Sequence, residues 1–158
     1  MRREAYVRLI ISIAVCQLAG IIGSIFTTPS IATWYAGLRK PGLAPPNWVF
    51  APVWTTLFVL MGISLFIVWN AGLDRSYVRR SIAAFGVQLV LNALWSYLFF
   101  GLQSPLLGLI EIVILWISIA LNIAFFLKVS KIAAYLLVPY LLWVSFAGYL
   151  NYLLFLLN

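Results

Sequence analysis

The 158-residue sequence contains no histidine, a single cysteine and only three acidic residues. Without histidine the commonest zinc and haem ligand and the usual general base are missing, which excludes ordinary metalloenzymes and Ser–His or Cys–His hydrolases. The lone Cys16 lies in an apolar run, has no partner for a disulfide, and reads as a small buried hydrophobe. No metal site and no resident cofactor are implied. Charge is scarce as well: 8% of the residues are charged, against about 25% in a soluble domain. With 65% hydrophobic residues and a mean hydropathy of +1.10, the chain lacks the polar surface to fold in water. It is expected to be a membrane protein.

The net charge of +7 does not point to nucleic acid. The basic residues stand at the ends of apolar segments, where they meet lipid headgroups and set orientation. Five such segments are read at about 6–26, 51–69, 81–100, 106–127 and 133–157. Each is long enough to cross a bilayer, and backbone satisfaction in lipid then demands helix. The first exceeds the roughly 7–15 apolar residues of a signal-peptide core, so it reads as a retained span. The expected fold is an all-α membrane protein, a five-transmembrane-helix bundle in one domain over residues 1–158.

The connections are unequal. NAGLDRSYVRR at 70–80 and the stretch 128–131 read as basic turns, and GLQSP at 101–105 as a tight turn. In that turn Gly101 is suited to ending one helix and Pro105 to starting the next. Only 27–50 is a long loop, and long loops in compact proteins are disproportionately functional. Within WYAGLRKPGLAPPNWVFAPVW at 34–54 lie four of the seven prolines and three of the seven tryptophans. Five crossings put Arg2, Arg3, Arg8, Arg75, Arg79, Arg80, Lys128 and Lys131 on one side and only Arg39 and Lys40 on the other. That asymmetry predicts a cytoplasmic N-terminus and an outside first loop in a prokaryotic cell membrane; a mitochondrial outer membrane stays open.

Polar residues inside spans are costly and usually face the bundle interior. Gln88, Asn92 and Ser96 share one helix face with Trp95 beside them. Glu111, Ser118 and Asn122 share another, and Trp143, Ala147 and Asn151 a third, with Tyr140 one turn before. Trp54, Phe58 and Met61 continue inward from the loop. The plain alternative is that these amides and hydroxyls glue helices together, and that Glu111 reaches headgroups or pairs across helices. Trp54, Asn92, Trp95 and Trp143 nevertheless describe aromatic walls with a few amides, a pocket for a flat, largely apolar ligand. Trp69 and Trp116 read as interfacial anchors or packing.

Trp34-Tyr35, Leu38, Lys40-Pro41, Pro45-Pro46, Trp48 and Pro52-Val53-Trp54 resemble the first-loop signature of the translocator protein family, also called tryptophan-rich sensory proteins or peripheral-type benzodiazepine receptors. The resemblance continues in Asn92-Ala-Leu-Trp95-Ser96 and in Pro139-Tyr140-Leu-Leu-Trp143 followed by Phe146-Ala147 and Leu150-Asn151. It implies a five-helix bundle, commonly a homodimer, with a pocket under the first loop. It also implies binding of porphyrins such as protoporphyrin IX and haem, and of synthetic isoquinoline and benzodiazepine-type ligands. By matching motif positions the ligand set is Tyr35, Pro41, Trp54, Gln88, Asn92, Trp95, Trp143 and Ala147, with Arg39 and Lys40 as propionate contacts. Ligand sensing, sequestration and translocation are not separated. An enzymatic alternative is light- and oxygen-dependent porphyrin degradation, with Trp54 and Trp143 as the participating residues. Two departures stand out: Leu43 replaces a common aromatic, and no basic residue follows Leu150 and Tyr152 to complete a sterol-type pattern. Sterol or lipid transport, or a structural role, is the remaining alternative. Ala19 and Gly23, four apart on the first span, offer a small-residue contact for a second helix.

Overall fold

A computed structural model describes residues 2–158, with the side chain of Arg2 outside the described set. The helices are α1 (Arg2–Ile31), α2 (Trp34–Gly37), α3 (Phe50–Asn70), α4 (Ser76–Ser96), α5 (Pro105–Leu127), α6 (Lys131–Leu136) and α7 (Val138–Leu157). A 3-10 turn, Asn47–Val49, leads into α3, and a π-helical turn, Tyr97–Gly101, extends α4. Five continuous helical segments are long and apolar enough to cross a membrane, which makes the chain a multi-pass membrane protein.

The spans close into a ring. α1 packs on α3 and α4, α5 packs on α4 and α7, and the fifth span meets α3 chiefly through α6. Cys16, Met61, Phe85, Leu115, Tyr140 and Val144, all nearly inaccessible, fill the centre. α7 touches α3 only sparsely; the fifth span holds α3 through α6 at one end and through the edge-on contact of Phe50 with Trp143 at the other, so the bundle is tight at the α6 end and hollow toward the long connection.

Several boundaries differ from the sequence expectation. α1 continues past residue 26 to Ile31, through Pro29. Thr27 Oγ donates back to the Gly23 carbonyl at 3.1 Å, and Ser30 Oγ to the Phe100 carbonyl at 2.9 Å, so the hydroxyls are satisfied within helical geometry. The connection expected at 27–50 is non-helical only at 32–33 and over 38–46. α4 begins at Ser76, not near 81, because Val78 is fully buried while Arg79 reaches back to the Leu73 and Asp74 carbonyls. The fifth span breaks at Leu137, just before Pro139, which cannot supply an amide to the preceding turn. Pro105 does start α5, capped by Ser104 accepting from the Leu107 amide at 3.2 Å.

Gly101 does end the helical stretch, and the left-handed backbone position of the turn falls at Gln103, with φ of 53°. Gly101 is small for a packing reason, since a Cβ there would lie 3.1 Å from Tyr97 and 3.2 Å from Phe26. Gly23, read as a small-residue contact for a second helix, meets α4 of its own bundle, where its Cβ position lies 2.9 Å from Ser96 Oγ. Ala19 is likewise buried in the chain's own core.

Candidate functional site

A cavity of about 390 Å³ occupies the hollow end of the bundle, bounded by α1, α3, α4, α7 and the lid helix α2. Its walls are aromatic and, among the described residues, carry no charged side chain. At the floor Trp54 stacks on Phe58, with centroids 5.6 Å apart and planes 28° apart, and meets the edge of Tyr140 at 6.1 Å. Asn92 Nδ2 donates to the Tyr140 hydroxyl at 2.9 Å, which joins α4 to α7 behind that floor.

The next wall is held by a polar relay. Trp95 Nε1 donates to Asn151 Oδ1 at 3.1 Å, and Asn151 Nδ2 donates to the Pro105 carbonyl at 2.8 Å. That amide ties α4, α7 and the start of α5 together and fixes the Trp95 ring, which stacks on Phe99 at 5.1 Å. Phe99 sits in the π-helical turn, a device that re-aims side chains and is frequent at functional sites. Asn151 also lies 2.9 Å from where a Gly108 Cβ would stand, so the glycine leaves room for the relay.

The roof is Tyr35, buried against Phe99 and Phe100 at centroid distances of 6.4 and 5.7 Å. Burial raises the phenol above its ordinary pKa of 10.0, because the ionised form loses solvation. Trp143 and Ala147 form the α7 side. The Trp143 Nε1 is buried with no hydrogen-bond partner among the described residues, so it is the indole ring that this residue presents to the cavity.

Of the residues expected from the sequence, Tyr35, Trp54, Asn92, Trp95, Trp143 and Ala147 line this cavity together. Gln88 and Pro41 do not. Gln88 lies one turn further from the lid than Asn92, beyond the cavity floor, with both amide atoms buried and without a partner among the described residues. Pro41 belongs to the irregular 38–46 stretch, where its carbonyl accepts from Ala44 N at 3.0 Å, and Tyr35 takes the roofing position. Arg39 and Lys40 lie outside the walls. The Arg39 backbone is tied to the Asn158 amide, and Lys40 Nζ rests 4.4 Å from the Tyr35 ring centroid. Glu111 is 3% exposed, away from both headgroups and cavity, and neither carboxyl oxygen has a partner among the described residues.

The sequence reading missed the α1 contribution. Gln17, Gly20, Ser24, Thr27 and Thr28 all line the cavity, as do Asn47 and Phe50 at the entry to α3. Small and hydroxyl-bearing residues at near-helical spacing on an otherwise apolar span were the signal available.

The TspO/MBR family model matches residues 12–157. The chain is 48% identical to the tryptophan-rich protein TspO of Chlorobaculum tepidum, over 95% of both chains. It is also 48% identical to the protein of the same name from Archaeoglobus fulgidus, over 96% of this chain and 97% of that one. The human translocator protein is 35% identical over 86% of this chain and 81% of its own.

Proposed function

The chain belongs to the TspO/MBR family, and from that premise we propose that it is an integral membrane binding protein for tetrapyrroles such as protoporphyrin IX or haem. The observation that carries this reading is the cavity wall. Trp54, Trp95, Trp143, Tyr35 and Phe58 present ring faces around about 390 Å³, within the range of roughly 300–1,000 Å³ usual for small-molecule sites. Flat, largely apolar ligands gain most from such walls, so synthetic isoquinoline and benzodiazepine-type compounds fit the same description. Asn92, Asn47 and Ser96 on the wall supply the few polar contacts that orient a ring system. Propionates would project past Tyr35 toward Lys40 and Arg39, on the lid side. A homodimer is part of the same proposal; its surface is not the Ala19–Gly23 pair, which is spent inside the bundle.

Quenching of tryptophan fluorescence by protoporphyrin IX in the dark tests this reading. Saturable binding is expected, weakened about tenfold in Asn92→Ala and about threefold in Trp143→Phe, which keeps a ring but a smaller stacking face. Non-saturable quenching, identical in every variant, would mean that the porphyrin only partitions into lipid or detergent. Illuminating the same samples separates binding from turnover. If porphyrin loss proceeds at the wild-type rate in Trp54→Phe/Trp143→Phe, the photochemistry belongs to the ligand alone.

A further inference from the structure

The cavity is closed on three sides and at its roof. Phe50 meets Trp143 edge-on at 6.0 Å between α3 and α7, Trp95 bonds Asn151 between α4 and α7, and Gly23 abuts Ser96 between α1 and α4. Above, the Asn158 amide grips both backbone groups of Arg39, accepting from its N–H at 2.9 Å and donating to its carbonyl at 3.1 Å. The remaining side is different. There the lining residues Ile21, Ser24, Thr28, Ala51 and Thr55 are themselves exposed on the outer surface of the bundle.

We infer that ligands enter this cavity sideways from the lipid, through a gap between the lid-proximal halves of α1 and α3, and not from water through the loop. Further from the lid the two helices are locked. A Cβ on Gly62 would lie 2.6 Å from Ile13 Cα, one on Gly20 2.5 Å from Phe58, and Gln17 Nε2 donates to the Thr55 carbonyl at 3.1 Å. That bond is the sill of the opening. From Gly20 to Thr28 the helix rises about 12 Å, enough to admit a small-molecule ring system edge-on.

The rim chemistry suits a doorway facing hydrocarbon. Ser24 donates to the Ile21 carbonyl at 2.7 Å and Thr55 to the Ala51 carbonyl at 2.8 Å, so neither hydroxyl proton is left unpaired in lipid. Each hydroxyl oxygen still has acceptor capacity for a passing N–H or O–H. Leu18, Ile22 and Ile25 continue the exposed apolar face of α1 beside the rim. The admitted class is therefore membrane-dissolved, amphiphilic ring compounds. The inference concerns the route and holds whichever such compound fills the cavity.

A thiol placed inside the cavity tests it without a ligand. In a Cys16→Ala background, Ala147→Cys is reacted in proteoliposomes with the lipid-soluble N-cyclohexylmaleimide and, separately, with a charged sulfonatoethyl methanethiosulfonate. The maleimide is expected to react readily, and Ser24→Trp to slow it roughly tenfold or more. Thr28→Trp, one helical turn away on the same rim, is the second blocking variant should the first not fold. Asn158→Ala, which frees the loop, is expected to leave the maleimide rate unchanged. A charged reagent that reacts as fast as the maleimide, with Asn158→Ala accelerating both and neither tryptophan slowing either, would overturn the lateral route in favour of the loop. A thiol that resists both reagents in every variant would show no open route and overturn it equally. Protoporphyrin binding plays no part in the readout, so failure of the ligand assignment is seen separately.

Discussion

Tyr35 carries the lid on one ring. Its phenol packs on Phe99 and Phe100 beneath the Lys40 ammonium, and burial raises its pKa above the ordinary 10.0. For an acid whose folded pKa is raised, the buried neutral form is fully stabilising below the unfolded value, and that contribution falls as pH rises past it. The lid should therefore loosen above about pH 10, and Tyr35→Phe should remove that part of the alkaline loss. Thermal unfolding from pH 8 to pH 11 checks this; parallel losses in both proteins would mean that another group governs the alkaline limb. At this scale the sequence was informative where side chains recur on one face. Trp143, Ala147 and Asn151 mark a helix face at intervals of four, and all three line the cavity. Gln88 continues the Asn92 face just as regularly, yet lies below the floor. Spacing specifies a direction around a helix and not where along it the cavity ends. The Phe85–Phe126 stack, at 5.7 Å, explains what that depth holds instead. Gln88 is three residues beyond Phe85 and Asn122 four before Phe126 on antiparallel helices, so two buried amides stand at nearly one level, about one turn nearer the lid than the stack.

The helices that open at the lid depend on being fused elsewhere. At Gly62 an added methyl would meet the Ile13 backbone at 2.6 Å, which no rotamer change can relieve. Gly62→Ala should thus cost about 1–3 kcal/mol of stability, as overpacking does, despite alanine's better helix propensity. Gly148 is the control: its nearest neighbour, Ile112, would be at an ordinary 3.7 Å, so Gly148→Ala should be neutral or slightly stabilising. Denaturation in mixed micelles measures both, and an undiminished stability for Gly62→Ala would argue against a tight α1–α3 contact. Hydropathy made the five spans legible, since each must cross about 30 Å of hydrocarbon. It could not place their ends. Thr27, Thr28 and Pro29 look like loop residues by composition, but back-bonded hydroxyls and the Ser30–Phe100 contact keep them helical. The turn at 97–101 and the break at Leu137 depend on tertiary packing, to which a hydropathy window is blind.

For the molecule as a whole, the ring of spans has one tight end and one hollow end, so its direction in the membrane decides which leaflet the cavity serves. Arg8 and Asn70 bond across α1 and α3 at the tight end, at 3.3 Å, with the Arg8 guanidinium also over Trp69 at 5.8 Å. Eight of the ten basic residues belong to that side, so the positive-inside bias predicts that it faces the cytoplasm and the lid the outside. Two exposed positions read this out in a Cys16→Ala protein expressed in a bacterial inner membrane. Leu43, 54% exposed in the connection beside the lid, and Leu73, 45% exposed in the turn before α4, are each changed to cysteine. An impermeant maleimide should label Leu43→Cys in spheroplasts and Leu73→Cys only after permeabilisation. The opposite pattern would invert the bundle and put the gap between α1 and α3 in the cytoplasmic leaflet. The cavity would then draw on compounds made or released inside the cell, in place of those arriving from outside.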